Sequence, residues 1–263
     1  MQNGDDGPVA VVTASSRGLG RAAAAALLVA GSHVVVNGRD ADRLEATVES
    51  LDEVGAGTVV GVPGDITDAE TGPRLVEVAI DRFGRLDTLV TSAGGPPSGP
   101  FESTTDEQWY DAYDLLVMSA VRVVRAAAPH LRAGEGGSIT MIASRAVKEA
   151  QPGMVLSNAV RMAVLGLSKT LSQEFGPQIR VNAVLPGYHA TGRIEELTAA
   201  AVARGEYPSV DAAMAARGES NPLGRVGDPQ ELGETVAFLA SPRASYITGV
   251  ALPVDGGATG GTL

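Results

Sequence analysis

The sequence predicts an α/β fold: one doubly wound parallel sheet of about seven strands, with helices on both faces. Two observations predict it. Short, almost wholly apolar runs, rich in valine and too brief for helices, recur along the 263 residues. Between them lie longer stretches in which alanine, leucine and polar residues follow helical spacing. Strands covered on both faces read as continuous rather than alternating apolar runs, so the pattern points to parallel strands joined by helical crossovers.

The elements follow in order. Val9–Val12 reads as the first strand, residues 21–30 as a helix closed by Gly31, residues 34–36 as the second strand, 42–54 as an amphipathic helix and 58–62 as the third strand. Runs at 86–91, 138–142 and 180–184, together with Ala251–Val254, complete the seven, and 112–131 and 159–175 are the long helical segments between them. Trp109, Tyr110 and Tyr113 fall in the lead-in to the helix at 112–131 or within it. No repeat or linker divides the chain, so residues 1–263 read as a single domain. Residues 188–226 break the strand rhythm with polar, alanine-rich helical sequence and read as a substrate-covering lid.

Composition narrows the function classes. No run approaches the roughly 18 apolar residues of a membrane span, and the opening MQNGDDGP is polar and acidic rather than a signal, so a soluble, cytoplasmic protein is expected. Cysteine is absent, and His33, His130 and His189 lack metal-ligand spacing, so no metal is expected. A net charge of −11 disfavours a nucleic-acid partner while leaving room for a local basic pocket. Only Lys148 and Lys169 are lysines; every other basic side chain, histidine apart, is arginine, a bias in keeping with GC-rich codon usage.

The turn Thr13-Ala14-Ser15-Ser16-Arg17-Gly18-Leu19-Gly20 joins the first strand to the first helix, where backbone amides and the positive helix end can cradle a pyrophosphate. It departs from G-x-G-x-x-G, and a glycine-rich turn alone is a weak signal. Its spacing is similar to the T-G-x-x-x-G-x-G fingerprint of the short-chain dehydrogenase/reductase family, with Ala14 at the first glycine. The resemblance runs nearly end to end: Asp65-Ile66, Ala93-Gly94, Gly137-Ser138-Ile139, Pro186-Gly187 with Thr191, Tyr246-Ile247-Thr248-Gly249 and Val254-Asp255-Gly256-Gly257. Overall it is most similar to the 3-oxoacyl-carrier-protein reductase branch.

That resemblance implies a Rossmann fold binding a nicotinamide dinucleotide. Thr13, Ala14, Ser16, Arg17, Gly18, Leu19 and Gly20 would hold the phosphates, Asp65 and Ile66 the adenine, and Ala93 and Gly94 would pass beside the ribose and nicotinamide. Pro186, Gly187, His189 and Thr191 would line the carboxamide, and Arg161 the ribose. An acid about 20 residues past the turn would select NAD; here Gly38 stands in that place, followed by Arg39. Arg17 and Arg39 are therefore expected to converge on a 2′-phosphate and select NADP(H).

The catalytic set departs from the family's Asn-Ser-Tyr-Lys. Ser144 keeps the serine, but Ser157 and Arg161 stand where tyrosine and lysine belong, Leu116 where the helical asparagine belongs, and Thr91-Ser92 where paired asparagines are usual. An aliphatic hydroxyl cannot replace a phenol as an acid, so Tyr188, and after it His189, are the candidate proton donors. Ser144, Ser157, Arg161 and Tyr188 form the candidate catalytic set. The resemblance implies an NADP(H)-dependent reductase acting on a carbonyl or conjugated enone of a small molecule. The altered set leaves open a non-redox enzyme on the same scaffold, such as a lyase, isomerase or cyclase, and a cofactor-binding subunit without catalysis. The family also implies a homotetramer or dimer, pairing the helices at 112–131 and 159–175 and bringing residues 254–263 to another subunit.

Overall fold

The computed structural model describes residues 7–134 and 136–261. The opening stretch 1–6, and residues 262–263 of the segment expected to meet another subunit, lie outside the described residues. Seven parallel strands form one sheet: β1 (Val9–Val12), β2 (His33–Gly38), β3 (Val59–Pro63), β4 (Thr88–Thr91), β5 (Gly137–Ile142), β6 (Ile179–Pro186) and β7 (Ala251–Val254). Their order is β3-β2-β1-β4-β5-β6-β7, so the winding reverses between β1 and β4. This is the doubly wound fold that the apolar runs predict.

The helices are α1 (Gly18–Val29), α2 (Ala41–Asp52), α3 (Thr71–Phe83), α4 (Asp106–Tyr113), α5 (Ser119–Ala133), α6 (Val155–Glu174), α7 (Gly192–Ala203), α8 (Val210–Glu219) and α9 (Pro229–Ala240). Strand periodicity sorts the core into two layers. Ala10 and Val12 of β1 join α1, α2 and α9 on one face, while Val9 and Val11 join α3, α5 and α6 on the other. The alanines of α1 leave its surface smooth enough to lie directly against α9, and they are buried there. None of the helices among the described residues is long and apolar enough to cross a membrane.

The larger departures from the sequence reading concern two helical segments. The helical run expected at 112 begins at Asp106, because Thr105 and Gln108 form a reciprocal capping box: the Gln108 N–H donates to Thr105 Oγ1 and the Thr105 N–H to Gln108 Oε1. The run is then broken by a π-helical turn, Asp114–Met118, before α5. The helix expected from 159 starts at Val155, placing Ser157 in its first turn.

Asn37 ties the sheet to the turn after β1. Its Oδ1 accepts from the Ala14 N–H (3.1 Å), while Nδ2 donates to the carbonyls of Val62 (3.1 Å) and Gly64 (3.0 Å). The side chain is buried, so removing it leaves three backbone groups unsatisfied. Asn37→Ala is expected to lower the unfolding free energy by about 2–4 kcal/mol, measured by denaturant titration; an unchanged midpoint would show that water satisfies those groups equally well.

Candidate active site

A cleft of about 1040 Å³ opens at the carboxyl ends of β1, β4, β5 and β6, where the winding reverses. Its floor at β1 is the turn leading to α1. No side chain caps α1, so the N–H groups of its first turn are available to an anion. The turn is tightly built: a Cβ on Gly20 would stand 2.6 Å from the Ala14 carbonyl oxygen, and Ala14 itself takes φ 45°. Ser16, Arg17, Gly18, Leu19 and Ala14 line the cleft with Gly20. Thr13 lies behind them, buried, donating from Oγ1 to the Ser92 carbonyl (2.6 Å) and accepting from the Ser92 N–H (2.8 Å). It braces the turn against β4 and is not part of the lining.

At the end of β2 no acid can occupy position 38 without rearrangement. A Cβ there would approach Ser16 Cβ to 2.7 Å. Arg39 follows, its Nη1 3.5 Å from Asp65 Oδ2, with both side chains largely exposed. Burial raises the Asp65 pKa, but the Thr67 N–H and hydroxyl and the Arg39 charge outweigh it and hold the carboxyl below its ordinary value. Arg17 reaches instead to Glu196 of α7 (3.4 Å). Arg17 and Arg39 thus line one cleft but are held by different carboxylates rather than facing each other. An uncapped helix start, a glycine-narrowed approach, an open face at Gly94 and no acid at 38 together fit a nicotinamide dinucleotide.

The inner end gathers the candidate catalytic residues. Arg161 lies one turn after Ser157 on α6; its Nε donates to Ser157 Oγ (3.3 Å) and its Nη1 to the carbonyls of Ala143 (2.9 Å) and Ile142 (3.4 Å) at the end of β5. Desolvation, and secondarily the charge of Arg193, lowers the Arg161 pKa to about 10, so the guanidinium stays charged at neutral pH. Ser144 also lines the cleft, but its Oγ accepts from the Ala146 N–H (3.1 Å) and caps a short turn at Arg145–Val147. Leu116 is buried in the apolar core within the π-helical turn, and its neighbour Leu115 lines the cleft. No polar side chain stands at the asparagine's place.

Tyr188 follows β6 and lines the cleft, its ring held between the guanidinium groups of Arg145 (5.0 Å) and Arg217 (5.4 Å). His189 is buried beneath it, with Nδ1 3.3 Å from the Gly187 carbonyl and its ring against Gly227. Burial lowers its pKa despite the opposing pull of the Gly187 carbonyl and nearby acids. Held neutral, the imidazole has no acidic proton to give at neutral pH. Ile66, Ala93, Gly94, Pro186, Gly187 and Thr191 all line the cleft as expected from their positions. Among the described residues no group of acids and histidines could hold a metal ion.

Among the lining residues that escape the sequence reading are Arg145, Gln151 and Arg193. Arg145 stacks on Tyr188 and meets Glu149 (3.7 Å), and Gln151 accepts from Arg145 Nε (3.1 Å) and Nη2 (3.0 Å) in the amide orientation that satisfies both groups. Arg193 donates from Nη2 to the Pro96 carbonyl (2.9 Å) and pairs with Glu196 (3.5 Å), joining α7 to the loop after β4. Adjacency to Ser144 and Thr191 was the available signal for the two arginines, but it was hidden among many other arginines.

A family model described as enoyl-(acyl carrier protein) reductase matches residues 13–259. An uncharacterised oxidoreductase of Methylorubrum extorquens is 37% identical over 254 residues, covering 96% of this chain and 98% of the relative. The short-chain reductase protein NovJ of Streptomyces niveus is 33% identical over 250 residues, covering 95% and 93%. Among solved structures, L-sorbose reductase from Gluconobacter frateurii, complexed with NADPH and L-sorbose, superposes with a TM-score of 0.91 at 33% identity, over 100% of both chains.

The strained Ala14 yields a test of the turn. A left-handed conformation costs an alanine roughly 1–2 kcal/mol that glycine avoids, partly offset by glycine's greater unfolded freedom. Ala14→Gly is expected to stabilise the protein by about 0.5–1 kcal/mol, read as a higher melting temperature; a lower one would contradict the backbone geometry.

Proposed function

The chain belongs to the short-chain dehydrogenase/reductase family, and from that premise we propose that it is an NADP(H)-dependent reductase acting on a conjugated enone or carbonyl of a small molecule. The observation that carries this reading is the Arg161 guanidinium, fixed on the last carbonyls of β5 and facing the cleft that holds the phosphate-binding turn. NADPH, when bound, supplies the hydride. Ala14, Ser16, Gly18, Leu19 and Gly20 hold its phosphates, with Thr13 bracing them from behind. Arg17 and Arg39, paired here with Glu196 and Asp65, would hold its 2′-phosphate. Asp65 and Ile66 flank the adenine, and Ala93, Gly94, Pro186, Gly187, His189 and Thr191 line the nicotinamide end.

Arg161 and Ser157 polarise the substrate oxygen, and Ser144 positions it. Reduction of a simple ketone creates an alkoxide, a strong base that needs a proton as the hydride arrives. Reduction of an enone at its β-carbon creates an enolate, a weaker base whose charge a fixed cation can stabilise until a proton follows. A site with Arg161 in place of an acid is suited to the second case. The proton comes from Tyr188, the single phenol lining the cleft among the described residues, whose ring the two flanking guanidiniums hold in place. Residues 188–226, carrying α7 and α8, act as the lid, with Arg193 clasping the loop after β4. Exposed Tyr110 and Tyr113 of α4 and Met162 of α6 support association of these helices across a two-fold axis in a homotetramer or dimer.

NADPH is expected to bind more tightly than NADH, and Arg39→Ala to weaken NADPH by about 10- to 100-fold while sparing NADH; equal binding of both cofactors by the parent protein would refute the selectivity. Arg161→Met is expected to lower kcat by about 100-fold or more. Because the charged form is required and is present below its pKa, the parent activity should be lost as pH rises through about 10. Tyr188→Phe keeps the stacked ring and removes the hydroxyl; a loss in kcat of about 100-fold is expected, whereas an unchanged kcat would make the residue a lid anchor only.

A further inference from the structure

The inner end of the cleft collects positive charge on a chain whose net charge is −11. The acids in the lining are Asp40, Asp42 and Asp65, all on the side of β2 and β3, and Glu196, already shared by Arg17 and Arg193. The other charged groups toward Ser144 and Ser157 are Arg145, Arg161 and Arg193, from three different elements. Among the described residues Arg161 has no carboxylate partner, and its Nη2 is neither hydrogen-bonded nor enclosed. Arg145 donates to the neutral Gln151 amide, stacks on Tyr188 and has Glu149 as its carboxylate contact at 3.7 Å, with Asp255 within electrostatic range, and Arg217 stands beside Tyr188 with a buried Nε that has no partner.

Gathering like charges in a partly dry pocket is costly: burial first, and the Arg193 charge after it, lower the Arg161 pKa. Such an arrangement becomes favourable when a ligand brings the opposite charge. The cofactor does not bring it here, since its phosphates belong at the start of α1 and its nicotinamide end carries a neutral amide. The codon bias toward arginine accounts for the residue type but not for the convergence of three elements on one end of the cleft.

We propose that the substrate is an organic acid whose carboxylate is received by Arg145 and Arg193, leaving Arg161 and Ser157 to the reacting oxygen. This rests on the reductase reading for its second half only. Carboxylate–guanidinium hydrogen bonds are short, strong and frequently bidentate, and Arg145 of the turn after β5 and Arg193 of α7 both line the cleft.

The test is calorimetric titration of the protein loaded with NADP⁺, using short α-keto, β-keto and γ-keto-enoic acids, each beside its methyl ester. The acids are expected to bind at least about tenfold more tightly than the esters, with the difference shrinking as salt rises. Arg145→Leu and Arg193→Leu should remove most of that preference, and Arg145→Lys should keep part of it. Esters that bind as well as acids, or no binding by either series, would overturn the proposal, and the comparison within the parent protein stands even where a variant fails to fold. Acids that bind selectively yet never draw hydride from NADPH would sink the reductase reading and leave this one standing. Turnover confined to neutral ketones and enones would do the reverse.

Discussion

The proposed chemistry of this cleft depends on one guanidinium, bonded to the carbonyl groups at the end of a central strand. Arg161 reaches Ile142 and Ala143 because α6 starts early enough to place it one turn after Ser157 and directly over the end of β5. The sheet order puts that strand end beside the turn after β1, so the fixed charge and the phosphate-binding turn share one cleft. Burial costs the cation part of its proton affinity without neutralising it at physiological pH. The site therefore has a permanent electrophile where its family places a phenol and an ammonium.

The same trade between stability and binding appears at the other end of the cleft. Ala14 accepts a left-handed backbone, and Asn37 spends a buried amide to hold that turn in place. Gly38 is pinned by Ser16, so the absence of an acid that would repel a 2′-phosphate is built into the packing as well as the sequence. The helix α7 adds the third constraint, since its Glu196 pairs with both Arg17 and Arg193.

Much of this was legible in the sequence. The seven strands fall within a few residues of the apolar runs because parallel strands buried on both faces leave no other pattern. The end of the sheet that carries the site followed from the strand-turn-helix at Thr13 to Gly20. What escaped reading depends on geometry across elements. The early start of the helical run at Asp106 needed the Thr105 and Gln108 pair to be seen as a cap, and the π-helical turn leaves no periodic trace. Thr13 looks like lining from its spacing but turns behind the site, whereas His189 does line the cleft with its ring packed against Gly227. A lone Asn37 in an apolar strand gives no hint of its three hydrogen bonds. Arg145 and Arg193 are two among many arginines until the fold brings them to one cleft.

In the proposed mechanism a fixed cation, rather than an acid at position 157, supports hydride transfer in this cleft. Single-turnover transfer from NADPH deuterated at the transferable position tests it most directly, with the product analysed by mass spectrometry for parent protein and Arg161→Met. The account predicts deuterium on the product carbon for the parent protein and little or none for the variant, at saturating cofactor. Tight cofactor binding with no deuterium transferred by the parent, or equal transfer by the variant, would contradict it.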